Sequence, residues 1–192
     1  MPDLILASGS PRRALLLSTA GYTFRVEPPD VDETHEDGEE AAALVLRLAE
    51  EKALAVSRST EDVVLAADTV VVLDGTVMGK PADREDAVAM LTALSGATHS
   101  VLTGWTLLAG SEQRYGVHES RVEFNDLSPA EIDAYIDDVQ PWDKAGSYAI
   151  QGDSGRLIRQ VSGSRANVMG LPLGDVAEGL TELGIVRSPA AK

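Results

Sequence analysis

Residues 4–17 read LILASGSPRRALLL, and no other stretch restricts the possible folds as strongly. Leu4 to Ala7 is a short apolar run suited to a buried strand, Ser8-Gly9-Ser10 breaks it, and Pro11 opens a helix. Ser10 is a good N-cap, and proline at the first helical position loses nothing, because its missing N–H would be unpaired there anyway. Arg12 and Arg13 then fall in the first turn, where the helix dipole is positive and each arginine is unfavourable by about 0.3–1 kcal/mol. That placement makes sense if an anion sits at the turn, met by backbone N–H groups and two guanidinium forks. The plainer alternative is a solvated turn with two surface arginines.

Charge sharpens the choice. A net charge of −15 over 192 residues argues against a nucleic-acid partner, whose phosphates call for a basic field. A phosphate ligand would have to be held by a local cluster of cations. The absence of cysteine excludes disulfides, thiolate metal sites and a cysteine nucleophile. His35, His99 and His118 are far apart without ligand spacing, which speaks against a histidine zinc site. No apolar run is long enough to cross a membrane and no basic-then-apolar leader is present, so the expectation is a cytoplasmic chain with no membrane partner. The length suits a single domain over 1–192, with a tail fraying after about residue 187.

Strands and helices alternate along the chain. A strand is expected over Thr23–Glu27, an acidic loop over Asp30–Glu40 in which Asp32 and Glu33 could reach a metal, and a helix from Glu40 to about Arg58. Ala41, Val45, Leu48, Lys52 and Ala55 share one face of that helix, so Lys52 interrupts an apolar stripe. Either its long stem snorkels to solvent or it is a cation presented inside a cleft, and the stripe by itself favours snorkelling. Val63–Ala67 reads as a buried strand ended by Asp68, resuming at Val70–Leu73 before an Asp74-Gly75 hairpin turn. A carboxylate at the tail of a buried strand is costly unless paired, metal-bound or at a cleft mouth. Gly75–Lys80 resembles a P-loop only superficially, because three residues separate its glycines and Pro81 stands where Ser or Thr is needed. Further on come a helix over Asp83–Leu94 and strands over Thr98–Ala109 and Tyr115–Phe124, joined by a turn at Gly110-Ser111-Glu112. Then follow a capping box at Ser128–Glu131, a strand over Leu157–Val161 and a helix over Leu173–Leu183. The pattern predicts an α/β fold with a mixed sheet.

Arg12, Arg13, Lys52 and Lys80 are cations set against the trend of an acidic chain, and Asp68 is a carboxylate in an apolar run. Phosphoryl chemistry needs such a set: cations for the phosphates and a carboxylate to bind Mg2+ or activate water. SGSPRR, AADTVV, GKP followed by a helix and LSG…H, DKAGSYAIQG and, near the end, NVMGLPL resemble the Maf (septum-formation inhibitor) family. The resemblance implies a nucleoside triphosphate pyrophosphatase that releases the monophosphate and pyrophosphate. It also implies a divalent metal (Mg2+ or Mn2+), a homodimer, and an α/β fold whose elongated mixed sheet is flanked by helices with a central cleft, similar to inosine triphosphate pyrophosphatases. By position Asp68 matches the family's proton acceptor and a metal ligand, Glu33 a metal ligand, and Lys52 and Lys80 catalytic cations. Ser8, Arg12, Arg13, Thr69 and Gln151 match substrate-binding positions, of which Arg12, Thr69 and Gln151 resemble the dTTP/UTP branch. Two other classes stay open: a non-catalytic nucleotide-binding regulator of septum formation, and a purine-directed enzyme acting on inosine or 7-methyl-GTP nucleotides.

Overall fold

The expected strand–helix alternation is realised in a computed structural model that describes residues 3–36, 38–56, 59, 61–151, 153 and 155–187. Arg58, Gly152 and the tail after residue 187 lie outside the described residues. The strands are β1 (Leu4–Leu6), β2 (Arg25–Val26), β3 (Val63–Leu73), β4 (Thr76–Met78), β5 (Thr98–Ala109), β6 (Glu112–Phe124) and β7 (Ile158–Ser162). The helices are α1 (Pro11–Thr19), α2 (Ala41–Ala55), α3 (Arg84–Leu94), α4 (Pro129–Val139), α5 (Arg165–Val168) and α6 (Leu173–Glu182). The sheet runs β2-β1-β3-β5-β6-β7, with β4 paired to β3. It is mixed: β1 is parallel to β2 and β3, whereas β3–β4 and β6–β7 are antiparallel.

Several expected boundaries shift. Asp68 does not end a strand; β3 passes through it without a break. One end of β3 is paired by β1 at Val63–Leu65 and the other by β4 at Val71–Leu73, and Asp68 lies between these pairings. A polar side chain on a backbone held at both ends does not interrupt the pleat. Thr23 and Glu27 fall outside β2, β6 starts at Glu112 rather than Tyr115, and α5 was not foreseen, four residues being too short to show a period. On α2, Val45, Leu48 and Lys52 are buried as the stripe requires, but Ala55 is exposed. Asp74 (φ 48°) and Gly75 (φ 81°) form the expected hairpin turn between β3 and β4.

The residues group into two compact units. The first is drawn from Met1–Asp68, Thr103–His118 and Gly170–Lys192, the second from Thr69–Leu102 and Glu119–Met169. In the first, Ile5, Ala7, Ala53, Val56, Val64, Ala66 and Leu108 form a core dominated by small side chains. Small residues let α2 approach the sheet closely. A Cβ at Gly104 on β5 would lie 2.3 Å from the Val45 carbonyl oxygen of α2, so only glycine fits there.

The second unit is built round larger groups, including Phe124, Tyr135, Tyr148 and Leu91. His99 stacks edge-on to Phe124 (5.0 Å) and Tyr148 (5.3 Å), and its Nε2 lies 2.7 Å from the Tyr148 hydroxyl. Burial drives its pKa down from 6.5 to about 4. Ser128 and Glu131 form the reciprocal capping box read from the sequence.

Two outcomes follow from this packing. Gly104→Ala should destabilise the protein by about 1–3 kcal/mol in denaturant titration, because the clash is with backbone that cannot rotate away. His99 is held neutral in the fold, so an unfolded chain takes up its proton first on acidification. Its contribution is complete above pH 6.5 and is lost as pH falls towards about 4. The shift corresponds to on the order of 3 kcal/mol. His99→Gln should flatten that part of the stability–pH curve, and an unchanged slope would show that His99 does not carry it.

Candidate active site

The site in the first unit begins where β1 ends. Ser8 is buried, and its Oγ accepts a hydrogen bond from the Ser10 backbone N–H (3.2 Å) and another from Arg13 Nη1 (3.2 Å). Ser10 occupies the N-cap position of α1, but its hydroxyl makes no capping bond, contrary to expectation. The turn is held by Ser8 instead. Arg13 Nε donates to the Gly170 carbonyl at 2.8 Å, which anchors the guanidinium to the NVMGLPL stretch. Arg13 is therefore not a surface arginine. Burial lowers its pKa from the ordinary arginine value; the Asp68 charge opposes this, Arg12 adds to it and Glu33 opposes it.

The centre of the site is Lys52. It is 5% exposed, and its Nζ lies 2.6 Å from Asp68 Oδ1 and 2.6 Å from Glu33 Oε1. The snorkelling reading is overturned: the stem carries the ammonium inward, because two carboxylates meet it there and offset the cost of leaving water. Asp68, 8% exposed, reaches Lys52 from within β3, whereas Glu33 arrives from the acidic loop with a side chain 44% exposed. Asp32 is otherwise engaged, its Oδ1 accepting from the Thr34 backbone N–H at 2.9 Å. The Thr34 side chain, then its backbone, holds the Asp32 carboxyl below its usual pKa.

Glu33 and Asp68 converging on one ammonium is also a test of the expected metal. Among the described residues no group of three or more His, Asp or Glu could hold an ion. Two carboxylates do not make an all-protein cage. They do suit Mg2+, which retains water and uses one or two carboxylates together with substrate phosphates. The donor set fits a divalent cation whose remaining positions are filled by water or by a ligand's oxygens.

The other expected residues lie as follows. Arg12 is half-buried, next to Arg13 on α1. Thr69, Lys80 and Gln151 belong to the second unit: Thr69 is half-buried on β3, and Lys80 and Gln151 are exposed. Within that unit the Gly146 N–H donates to the Gly79 carbonyl at 3.0 Å, which joins the GKP turn to the DKAGSYAIQG segment. Gly146 has φ 65°, and a Cβ there would come within 3.0 Å of Val71. Gly170 as the acceptor for Arg13 is not legible from local pattern, because the bond spans 157 positions.

Removing one partner of a buried ion pair leaves the other charge uncompensated, at a cost of about 3–5 kcal/mol. Lys52→Met should therefore lose about 3 kcal/mol in denaturant unfolding at pH 7, although its helix face is apolar. The double variant Lys52→Met/Asp68→Leu should recover most of that loss. Equal stability of Lys52→Met and the parent would mean that the ammonium contributes no compensation.

Residues 3–183 match the family described as Maf-like protein. The chain is 49% identical over 185 residues to a dTTP/UTP pyrophosphatase of Symbiobacterium thermophilum, covering 96% of this chain and 95% of that one. It is 50% identical over 183 residues to a dTTP/UTP pyrophosphatase of Myxococcus xanthus, covering 95% and 93% respectively. Among solved structures, a HAM1 protein from Coxiella burnetii aligns over 95% of this chain and 100% of that one, at 16% identity and a TM-score of 0.48. With a family match over nearly its whole length and relatives at about half identity, this chain belongs to the Maf-like protein family.

Proposed function

We propose that this protein hydrolyses nucleoside triphosphates, dTTP and UTP foremost, to the monophosphate and pyrophosphate, cleansing the nucleotide pool. The observation that carries the reading is the buried Lys52 ammonium between Asp68 and Glu33, with Arg13 anchored close enough to feel both carboxylates. Relatives at about half identity bear the name dTTP/UTP pyrophosphatase, which supports the choice of substrate.

In the proposed reaction the oxygen of a water bonds to the α-phosphorus, and the bond from that phosphorus to the bridging oxygen of the leaving pyrophosphate breaks. Asp68 accepts the proton of the attacking water. Lys52 orients Asp68 through a hydrogen bond to Oδ1 at 2.6 Å. Arg13 and Lys52 offset the charge of the triphosphate, and Ser8 fixes the Arg13 fork so that little reorganisation is needed. Glu33 and Asp68 would hold Mg2+ or Mn2+, which when bound shields the phosphates from one another. The roles of Lys80 as a further phosphate cation, and of Arg12, Thr69 and Gln151 in base and sugar recognition, rest on the family motifs. A glutamine amide offers one donor and one acceptor, which suits the carbonyl and N–H edge of uracil or thymine. The same reading takes residues 1–192 as one functional domain, working in the cytoplasm as a homodimer.

The deciding experiment measures pyrophosphate release from UTP, dTTP, CTP, ITP and 7-methyl-GTP side by side with Mg2+ and with Mn2+. UTP and dTTP should lead, with CTP lower by roughly tenfold to a hundredfold. Preference for ITP or 7-methyl-GTP would establish the purine-directed class, and binding without turnover would establish a regulator. Asp68→Asn should reduce turnover by roughly 10²–10⁴-fold while the fold survives. A loss below tenfold at saturating metal would remove Asp68 from proton transfer.

A further inference from the structure

We propose that Arg47 is a positioning residue for Glu33, acting as a clasp that fixes the acidic loop against α2. The inference rests on the function proposed above for its catalytic consequence, but its geometry stands apart from it. Arg47 grips Glu39 with both arms of its fork, Nε to Oε1 at 2.7 Å and Nη2 to Oε2 at 2.7 Å. Nη2 also donates to the Thr34 carbonyl at 3.1 Å, one residue from Glu33. Nη1 pairs with Glu51 one helical turn further along α2 at 3.2 Å. His35 Nε2 lies 2.8 Å from the Glu39 carbonyl oxygen, and Asp32 closes on the Thr34 N–H.

Core packing does not explain where this loop sits. Among the described residues from 30 to 40 none is buried, so polar contacts set the loop's position. The clasp itself is shielded: the Arg47 side chain is 24% exposed and that of Glu39 11%. A bidentate guanidinium–carboxylate pair of this kind is strong and directional, and a lysine ammonium cannot reproduce its two parallel bonds. The Glu39 partner holds the Arg47 pKa above its ordinary value. Arg47 and Lys52 lie five residues apart on α2, so one helix fixes both the loop, through Arg47, and the point that Glu33 must reach, through Lys52. Without Arg47 the crowded carboxylates Asp32, Glu36, Glu39 and Glu40 repel one another, and Glu33 leaves the ammonium.

Two measurements test this on the full chain. In native-state digestion with a Glu-specific protease, Arg47→Ala should raise cleavage between residues 33 and 40 by about tenfold or more, with cleavage elsewhere unchanged. In a double-mutant cycle, Arg47→Ala should lower kcat/KM for UTP by about 10- to 100-fold in the parent, as expected for the loss of an outer partner of a site ligand. It should cause no further loss in a Glu33→Gln background, because a clasp that acts through Glu33 has nothing left to position. Should Arg47→Ala not fold, Glu39→Gln, which keeps the arginine and one acceptor, supplies the same cycle. Unchanged loop cleavage, or an equal loss of turnover with and without the Glu33 carboxylate, would overturn the proposal. A parent that turns over no triphosphate would overturn the function proposed above, and loop cleavage would then decide the clasp alone.

Discussion

The ammonium of Lys52 between Asp68 and Glu33 is the contact that holds the first unit's candidate site together. It joins three separate pieces of chain: a helix, the middle of a strand and an acidic loop. Burying such a group is a poor way to gain stability, since well-packed apolar residues of similar volume usually do as well or better. A helix that is otherwise well suited to a sheet face carries a lysine at that face, and a strand rich in valine and alanine carries an aspartate. Two departures from local preference that meet at 2.6 Å are better explained by function than by folding.

That contact needs α2 to lie close to the sheet. Small side chains at Ala53 and Ala66, and the missing Cβ at Gly104 against the Val45 carbonyl, allow the approach. Arg13 reaches the same region from α1, held by Ser8 on one side and the Gly170 carbonyl on the other. In a chain of net charge −15, anion binding cannot come from a general field. In the proposed function it comes from cations placed individually, and Arg13 and Lys52 are each held by hydrogen bonds.

The parts legible from sequence were those with local signals. The strand–turn–helix at the start, the Asp74-Gly75 hairpin and the Ser128 capping box depend on residues a few positions apart, and each forms as read except that the Ser10 hydroxyl does not cap the first helix. Lys52 could be marked as an anomaly, but its direction could not be read. A lysine stem on an apolar face looks the same whether its head snorkels or meets carboxylates 16 and 19 positions away in sequence. From sequence Asp68 reads as a strand end, because a charged residue is expensive inside a strand. The pairing of β3 with β1 and β4 on either side of it is long-range information. Arg47 gave no signal at all, since an arginine four residues before Glu51 reads as an ordinary surface pair.

The exchange of roles between Ser10 and Ser8 bears on what the start of α1 can bind. A serine at the N-cap with proline behind it ordinarily turns its own hydroxyl onto the first-turn N–H groups. Here the Ser10 hydroxyl makes no such bond, and its backbone N–H is taken by Ser8. The same Ser8 oxygen receives Arg13, so one buried hydroxyl sets both the turn and the guanidinium. The positive end of the helix dipole is thus left without a side-chain cap of its own, with an arginine fixed beside it. That combination costs stability in isolation and repays it only when an anion sits at the helix start. In the proposed reaction that anion is the triphosphate, and the preference for Ser8 over Ser10 as the organising hydroxyl follows from keeping the helix end open to it.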